Sequence, residues 1–364
     1  MDKKRHTIIS LVGARPQFIK LAPLAKILNE KFRHLIVHSG QHYDRMMSNI
    51  FFDQLNIPKA DYNLLVGSGN HSEMTGKIMM RFENLLAKLQ PEMVLVYGDT
   101  NSTLAAALAA VKLNIPVGHI EAGLRSYRRD MPEEINRLLT DQISSLLFCP
   151  TPQSIKNLKK EGIKNGIIHS GDLMHELINS YKHKISANRI ILKKFGVAPK
   201  KFILLTLHRA ANVDDRNILG SLVDIICAIK KPIIFPIHPR TAKNLRKFGL
   251  KKKIDISKNI FLTEPLSYLD NLSLIYNAYA VMTDSGGMQK ESVFLGTPCL
   301  TLRDETEWTE TLKLGNHLVG LSSRKISRLL ADLPTCKNKA PYLISNGKPS
   351  EIIATALSKF LEDS

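Results

Sequence analysis

The chain is poor in the features that would assign it to several large classes. Its four cysteines, Cys149, Cys227, Cys299 and Cys336, lie far apart, so there is no CxxC metal or redox spacing, and each is expected as a buried free thiol. No stretch approaches the ~18 consecutive apolar residues of a membrane span. The basic start, Met1-Asp2-Lys3-Lys4-Arg5-His6, leads into Thr7 to Val12, which is too short and strand-like for a signal-peptide core; the expectation is a cytoplasmic protein without a membrane anchor. GxxxxGK[ST] is absent and no clear GxGxxG occurs, which leaves neither a P-loop nor a dinucleotide fingerprint. Low-complexity segments and obvious internal repeats are lacking too. Acids are outnumbered, 33 Asp and Glu against 51 Lys and Arg, for a net charge of +18. The lysines are dispersed, as in Lys156-Asn157-Leu158-Lys159-Lys160 and Lys251-Lys252-Lys253, without interleaved aromatics, so the reading is a lysine-rich surface and not a nucleic-acid groove.

What is present is an ordinary globular composition, 44% hydrophobic and 23% charged, over 364 residues, enough for about two domains at ~150 residues each. Strand-like and helix-like segments alternate. Thr7 to Val12 precedes Gly13-Ala14-Arg15-Pro16 and a helix from about Gln17 to Glu30; His34 to His38 ends in Ser39-Gly40-Gln41-His42-Tyr43. Met93 to Tyr97 ends in Gly98-Asp99-Thr100, before a helix from Leu104 to Leu113; Pro116 to Ile120 ends in Glu121-Ala122-Gly123; Leu146 to Cys149 closes the half. Leu173 to Lys194 is helical and lysine-rich and reads as a bridge. A second series follows: Phe202 to Thr206, Ile233 to Ile237, Ile260 to Leu262, Ala280 to Thr283 and Cys299 to Leu302. This alternation predicts an α/β fold of two doubly wound parallel sheets with a cleft between them, the first domain covering 1–172 and the second 173–349.

Polar side chains gather at the strand ends, where ligands of open α/β sheets bind. Arg15 is placed to meet an anion or to sit in solvent as a loop arginine. Asp284-Ser285-Gly286-Gly287 reads as strand, tight turn and helix start, either a phosphate cradle or a plain βα turn, with Glu291 about one helical turn on, where a carboxylate could reach a pair of sugar hydroxyls. Glu133 and Glu134 follow Pro132 at a helix start, where acids also serve simply as caps. Collected together, Asp99, Glu121, Glu133 and His208 point to proton transfer, while Arg15, Arg137, Arg209, His238 and the Ser-Gly-Gly turn point to a phosphate-bearing substrate. No metal-ligand spacing accompanies them.

The motifs Gly13-Ala14-Arg15-Pro16, Gly40-Gln41-His42, Gly98-Asp99-Thr100, His119 to Arg125, Pro132 to Arg137, His208-Arg209, Asp284 to Glu291 and Arg303 to Glu307 keep, in order and over almost the whole chain, the pattern of the UDP-N-acetylglucosamine 2-epimerase family, which the sequence closely resembles. The resemblance implies a GT-B-type fold of two Rossmann-like domains, with a C-terminal helix, here about 350–364, returning to the first domain. It implies a UDP-sugar substrate, inversion at C2 by anti elimination of UDP through a 2-acetamidoglucal, no metal or NAD cofactor, and a homodimer. By analogy Asp99, Glu121, Glu133 and His208 are catalytic, and Arg15, His42, Arg137, Arg209, His238, Ser285, Gly286, Gly287 and Glu291 bind substrate, with the glycine turn on the pyrophosphate and Glu291 on the ribose.

The chain departs from the family's pattern at three places. His208-Arg209 is followed by Ala210-Ala211-Asn212 where many members carry a glutamate, and Asn271 stands where many place an aromatic near the uracil, leaving Tyr268 or Leu269 to supply stacking. Gly67-Ser68-Gly69-Asn70-His71 lacks the Arg-Gln pair with which some members bind a second, activating substrate molecule. That last departure, together with Trp308 after Glu307, resembles branches acting on modified sugars such as UDP-2,3-diacetamido-glucuronic acid. The alternatives are such a substrate, a hydrolysing outcome, a glycosyltransferase, or a non-enzymatic binder on the same fold.

Overall fold

A computed structural model describes residues 5–40, 52–333 and 347–363. The chain divides into two compact units, 1–177 with 341–364, and 178–340. It passes from one to the other within the helix Leu173–Ala187.

The first unit is a parallel sheet of β1 (Thr7–Val12), β2 (Arg33–His38), β3 (Tyr62–Asn63), β4 (Met93–Tyr97), β5 (Val117–Ile120), β6 (Leu146–Cys149) and β7 (Ile167–His169), in the order β3-β2-β1-β4-β5-β6-β7. The second holds β8 (Ile203–Thr206), β9 (Ile233–Pro236), β10 (Ile260–Thr263), β11 (Ala280–Thr283), β12 (Cys299–Thr301) and β13 (Asn316–Leu318), in the order β10-β9-β8-β11-β12-β13. Both are doubly wound Rossmann-like sheets whose order reverses once, between β1 and β4 and between β8 and β11. Loops leaving the two strands on either side of that switch diverge to opposite faces and open a crevice at the carboxyl edge.

The strands form because their residues are apolar on both faces, as a sheet covered by helices demands. Met93, Val94, Leu95, Val96 and Tyr97 are all fully buried. In the second unit Ile203 and Leu205 pack with Val213, Leu219, Ile233, Phe235 and Met282 in one core, so truncating Leu205 to Ala would cost about 2–5 kcal/mol. The C-terminal helix, Pro349–Glu362, buries Ile353, Ala354, Leu357 and Leu361 on one stripe. It packs on the helix Arg15–Lys31 of the first unit, and Ser350 donates from its N and Oγ to Glu176 at 2.9 and 2.6 Å.

Three strands, β3, β7 and β13, have no counterpart in the sequence reading. Each is two or three residues long and exists only through pairing with a neighbour. The helix expected from Leu104 begins at Asn101, because Thr100 caps it and draws Asn101-Ser102-Thr103 into the first turn. The expected bridge from Leu173 to Lys194 is two helices, Leu173–Ala187 and Ile190–Lys194, and it is more than a connector: Leu173, Leu177, Ile178, Ile185, Ile191 and Leu192 are buried. Cys149 and Cys299 are buried free thiols, Cys227 is a half-buried one, and Cys336 lies outside the described residues. No described helix is long and apolar enough to cross a membrane.

Candidate functional site

In the first unit the loops after β1 and β4 are tied together by one buried side chain. Gln17 Oε1 accepts from the N–H groups of Gly13 and Ala14 at 2.7 and 3.0 Å, and its Nε2 donates to Tyr97 O and the hydroxyls of Thr100 and Thr103 at 3.0, 3.1 and 3.1 Å. Gly13 has no room for a side chain: a Cβ there would lie 1.8 Å from Ser39 Oγ. The switch point is thereby fixed before any ligand arrives, which a binding crevice needs if it is not to spend affinity on ordering itself.

Two carboxylates project there. Glu121 ends β5 with φ +73°, the left-handed region that non-glycine residues avoid, a strain typically held only where surrounding structure enforces it. The N–H groups of Glu121 and Ala122 both donate to Phe148 O at 3.1 Å and hold this turn, and the Glu121 carboxylate pairs with Lys20 of the helix Arg15–Lys31, both side chains nearly buried. Gly98, at φ +65°, makes the room: a Cβ on it would meet Lys20 Nζ at 3.1 Å and Glu121 Oε2 at 3.4 Å. Asp99, the next residue, is bound by Arg137 Nη2 at 2.7 Å, and its backbone oxygen accepts from Asn136 Nδ2 at 2.9 Å. Loss of water raises the Asp99 carboxyl above its ordinary value, Glu121 and Glu133 push the same way, and Arg137 and Lys20 oppose them. Its side chain still keeps 35% of its surface, so this crowded carboxyl is open on one side. Arg137 is itself buried and is braced by the Glu133 carbonyl at 3.2 Å and Glu134 at 3.6 Å. Arg15 is the exposed first residue of its helix.

The second unit is built around one buried acid. Asp284, at the end of β11, accepts from the N–H of His208 at 3.0 Å, the N–H of Arg209 at 3.0 Å and Asn212 Nδ2 at 3.2 Å, and it pairs with His208 Nδ1 at 3.0 Å. Burial alone would raise this carboxyl, but His208 and the backbone donors outweigh it and hold it below the ordinary range. The loop after β8 is thus pinned to the loop after β11 across the second switch point. Ser285 caps the helix Gly286–Phe294, whose first N–H groups have no intrahelical acceptor. Gly286 abuts Glu307, since a Cβ on it would fall 2.2 Å from Glu307 Oε1. Glu307 in turn meets Arg303 at 3.0 Å and Arg209 at 3.9 Å. Glu291 is buried on the same helix. His238 lies 5.5 Å from His208, ring to ring, and caps its own helix by accepting from Arg240 N at 3.2 Å.

The expected site residues thus fall into two groups. Asp99, Glu121, Glu133 and Arg137, with Arg15 at the neighbouring strand end, belong to the first unit; His208, Arg209, His238, Ser285, Gly286, Gly287 and Glu291 belong to the second. His42 lies outside the described residues. Sequence reasoning passed over Lys20, Gln17, Asp284 and Glu307 as site residues. Lys20 left a signal, a lone cation inside Phe18-Ile19-Lys20-Leu21, where an amphipathic helix calls for an apolar residue. Asn212, in the stretch after His208-Arg209 where many family members carry a glutamate, ties Asp284 to the Leu302 carbonyl at 3.0 Å. Tyr268 is fully buried, so its ring is engaged in packing and offers no open platform for a base; Asn271 is buried beside it on the same helix. Trp308 is buried with Lys290 Nζ 3.7 Å from its ring centroid. Among the described residues no group of three or more His, Cys, Asp or Glu side chains could hold a metal.

Two Rossmann-like sheets, each with a prepared crevice at its switch point, define an α/β enzyme of the GT-B class. The model of the UDP-N-acetylglucosamine 2-epimerase family matches residues 26–358, and the chain belongs to that family. It is 47% identical, over 96% of its length and 99% of the relative's, to a UDP-N-acetylglucosamine 2-epimerase homolog of Methanococcus maripaludis. It is 46% identical to the UDP-2,3-diacetamido-2,3-dideoxy-D-glucuronate 2-epimerase of Pseudomonas aeruginosa, over 97% and 99% of the two chains. Among solved structures it is similar to a Methanocaldococcus jannaschii UDP-GlcNAc 2-epimerase in complex with UDP-GlcNAc and UDP, with TM-score 0.89, 42% identity and coverage of 97% and 99%. A sucrose-phosphate synthase from Thermosynechococcus elongatus, 14% identical with TM-score 0.64, shares the fold alone.

Proposed function

We propose that the protein interconverts UDP-N-acetylglucosamine and UDP-N-acetylmannosamine, for surface polysaccharide synthesis in the cytoplasm, as a homodimer. The observation that carries this reading is the pair of unlike carboxylates beside the first switch point: Glu121, held against Lys20, and Asp99, whose carboxyl is raised by loss of water. The Lys20 ammonium favours the ionised form of Glu121, which suits it to take the C2 proton; Asp99 suits the acid role, with Glu133 beside it. As C2–H breaks, its electron pair forms the C1=C2 bond of a 2-acetamidoglucal, and the C1–O pair departs on the UDP phosphate oxygen. In the return step that oxygen attacks C1 while C2 takes a proton on the opposite face. Atoms and charge balance without a redox partner.

The second unit's residues fit the leaving group. Ser285, Gly286 and Gly287 offer helix-start N–H groups to the diphosphate, His208, Arg209 and His238 stabilise its growing charge, and Glu291 takes the ribose hydroxyls. Arg15, Arg137 and His42 bind the rest of the nucleotide sugar. Incubation with UDP-N-acetylglucosamine in deuterated water tests the reading: deuterium at C2 is expected, and the absence of both exchange and free UDP would overturn it.

A second reading, a modified UDP-sugar such as UDP-2,3-diacetamido-glucuronic acid, is favoured by the 46% identity to the Pseudomonas aeruginosa enzyme. Comparing turnover of both UDP-sugars by NMR separates the two.

A further inference from the structure

Behind the two carboxylates lies a buried group that the reaction as written does not use. His119, on β5 two residues before Glu121, is wholly inaccessible to solvent. Its Nδ1 is 2.7 Å from Asp141 Oδ1 and its Nε2 is 2.7 Å from the carbonyl oxygen of Gly98, the residue before Asp99. A carbonyl can only accept, so Nε2 carries a proton. Asp141 Oδ2 accepts from the Arg125 guanidinium (Nη1) at 2.7 Å and from Gly123 N at 3.1 Å, a cation and an N–H donor that favour its carboxylate form. Nδ1 therefore carries a proton too, and a ring with both nitrogens protonated is a cation.

We propose that His119 is a positioning residue, a buried imidazolium that holds the Gly98 carbonyl so as to aim Asp99, and whose fixed charge favours the ionised form of Glu121. The contacts support both halves. Gly98 is at a positive φ and its N–H is bound to Ile120 O at 2.9 Å, so with its carbonyl also held the peptide leading to Asp99 cannot rotate. Asp141 also grips Gly123, two residues after Glu121, so one buried charge pair fixes the backbone on both sides of the reacting carboxylates. The charged or titratable groups around it are Asp141 from the helix Pro132–Ile143, Arg125 from the loop after β5, Glu161 at the end of the helix Pro152–Lys160 (bound to Arg125 at 2.6 and 2.7 Å), Cys149 on β6, Tyr97 on β4, and Lys20 and Glu121 at the sheet's edge. The only cations among them, Arg125 and Lys20, are each committed to carboxylates of their own.

This inference rests on the epimerase reading, and the test separates the two. In protein labelled with 15N-histidine, the His119 signals, identified by their loss in His119→Gln, are expected to show both ring nitrogens protonated in the folded protein; a bare nitrogen overturns the imidazolium whatever the enzyme does. His119→Gln keeps a donor for Gly98 O but not the charge. With its melting curve checked, it is expected to lose roughly 100-fold in kcat with KM within about threefold, as misplacement of reacting groups predicts, and to shift the acid limb of the kcat profile to higher pH, since carboxylates deprived of a nearby cation ionise later. Unchanged kcat and limb overturn the positioning role. Asp141→Asn is a second variant, expected to leave His119 with one bare nitrogen and to move the limb the same way. Absence of C2 exchange in the parent protein instead overturns the epimerase reading and leaves the NMR result standing.

Discussion

The two crevices share a topology and differ in how they use charge. In the first, acids and bases are crowded and mutually compensated, Lys20 against Glu121, Arg137 against Asp99, His119 and Arg125 against Asp141, and a glutamate is kept at φ +73°. In the second, the buried carboxylate of Asp284 organises backbone N–H groups and a helix start. Crowded carboxylates acquire unequal proton affinities, which proton transfer requires; a rigid loop with free N–H groups binds an anion without changing protonation. On the proposed function, the same strand order serves reaction in one unit and recognition in the other.

That contrast can be broken. Glu121→Gln should lower the rate of C2 deuterium exchange by about 10³-fold, within the range for removal of a general base, and leave UDP affinity within about twofold by calorimetry. An equal loss in both would end the division of labour. Lys20→Met strands Glu121 as an uncompensated, nearly buried charge and should cost about 3–5 kcal/mol in urea unfolding. Little change would mean that the pair does not add to the hold on the strained turn. In the second unit, Asp284→Asn removes the negative charge from a set of buried donors at about 1.5–3 kcal/mol, and UDP binding should weaken roughly 10- to 100-fold; Gly286→Ala, whose Cβ collides with Glu307, should also weaken it. Exchange measured at saturating substrate should change less in both variants than in Glu121→Gln.

The smallest effects concern pH. His34, buried between Ser10 Oγ at 2.8 Å and Asn29 Oδ1 at 3.1 Å, is depressed from 6.5 to about 4 by loss of water. Its folded-state value is lower than its unfolded one, so its contribution is present above pH 6.5 and is lost as pH falls toward 4. Asp284 and Asp141 are also depressed, from 3.8, so theirs is present above that pH and lost below it. Melting temperature against pH should accordingly decline in two stages, and His34→Gln should flatten only the upper one. A single transition below pH 4 in the parent protein would contradict this ordering.

Much of the fold was legible because a parallel sheet covered on both faces writes its strands as unbroken apolar runs: Thr7–Val12, Met93–Tyr97, Leu146–Cys149 and Ala280–Thr283 were read to the residue. The short strands Tyr62–Asn63, Ile167–His169 and Asn316–Leu318 carry no such run. The strand-end polar residues were legible for the same reason, since an apolar segment followed by Gly-Asp or Asp-Ser-Gly-Gly announces a turn with something at its tip. Lys20, His119 and Asp141 were not read as site residues. They lie inside a helix or strand, where their types look like surface charge or a satisfied core histidine, and only the packing brings them under the loops they control.

The sequence by itself determined that there would be two doubly wound sheets with acids at one set of strand ends and imidazoles with a glycine turn at another, because periodicity and turn chemistry are local. Tertiary structure alone decided which charges meet. Lys20 and Glu121 are about a hundred positions apart in the chain, and His119 reaches Gly98 across two neighbouring strands. The proton affinity of a carboxyl depends on the charges and the loss of water within a few ångströms of it, and those are set by strand order and register, which no stretch of the sequence spells out alone.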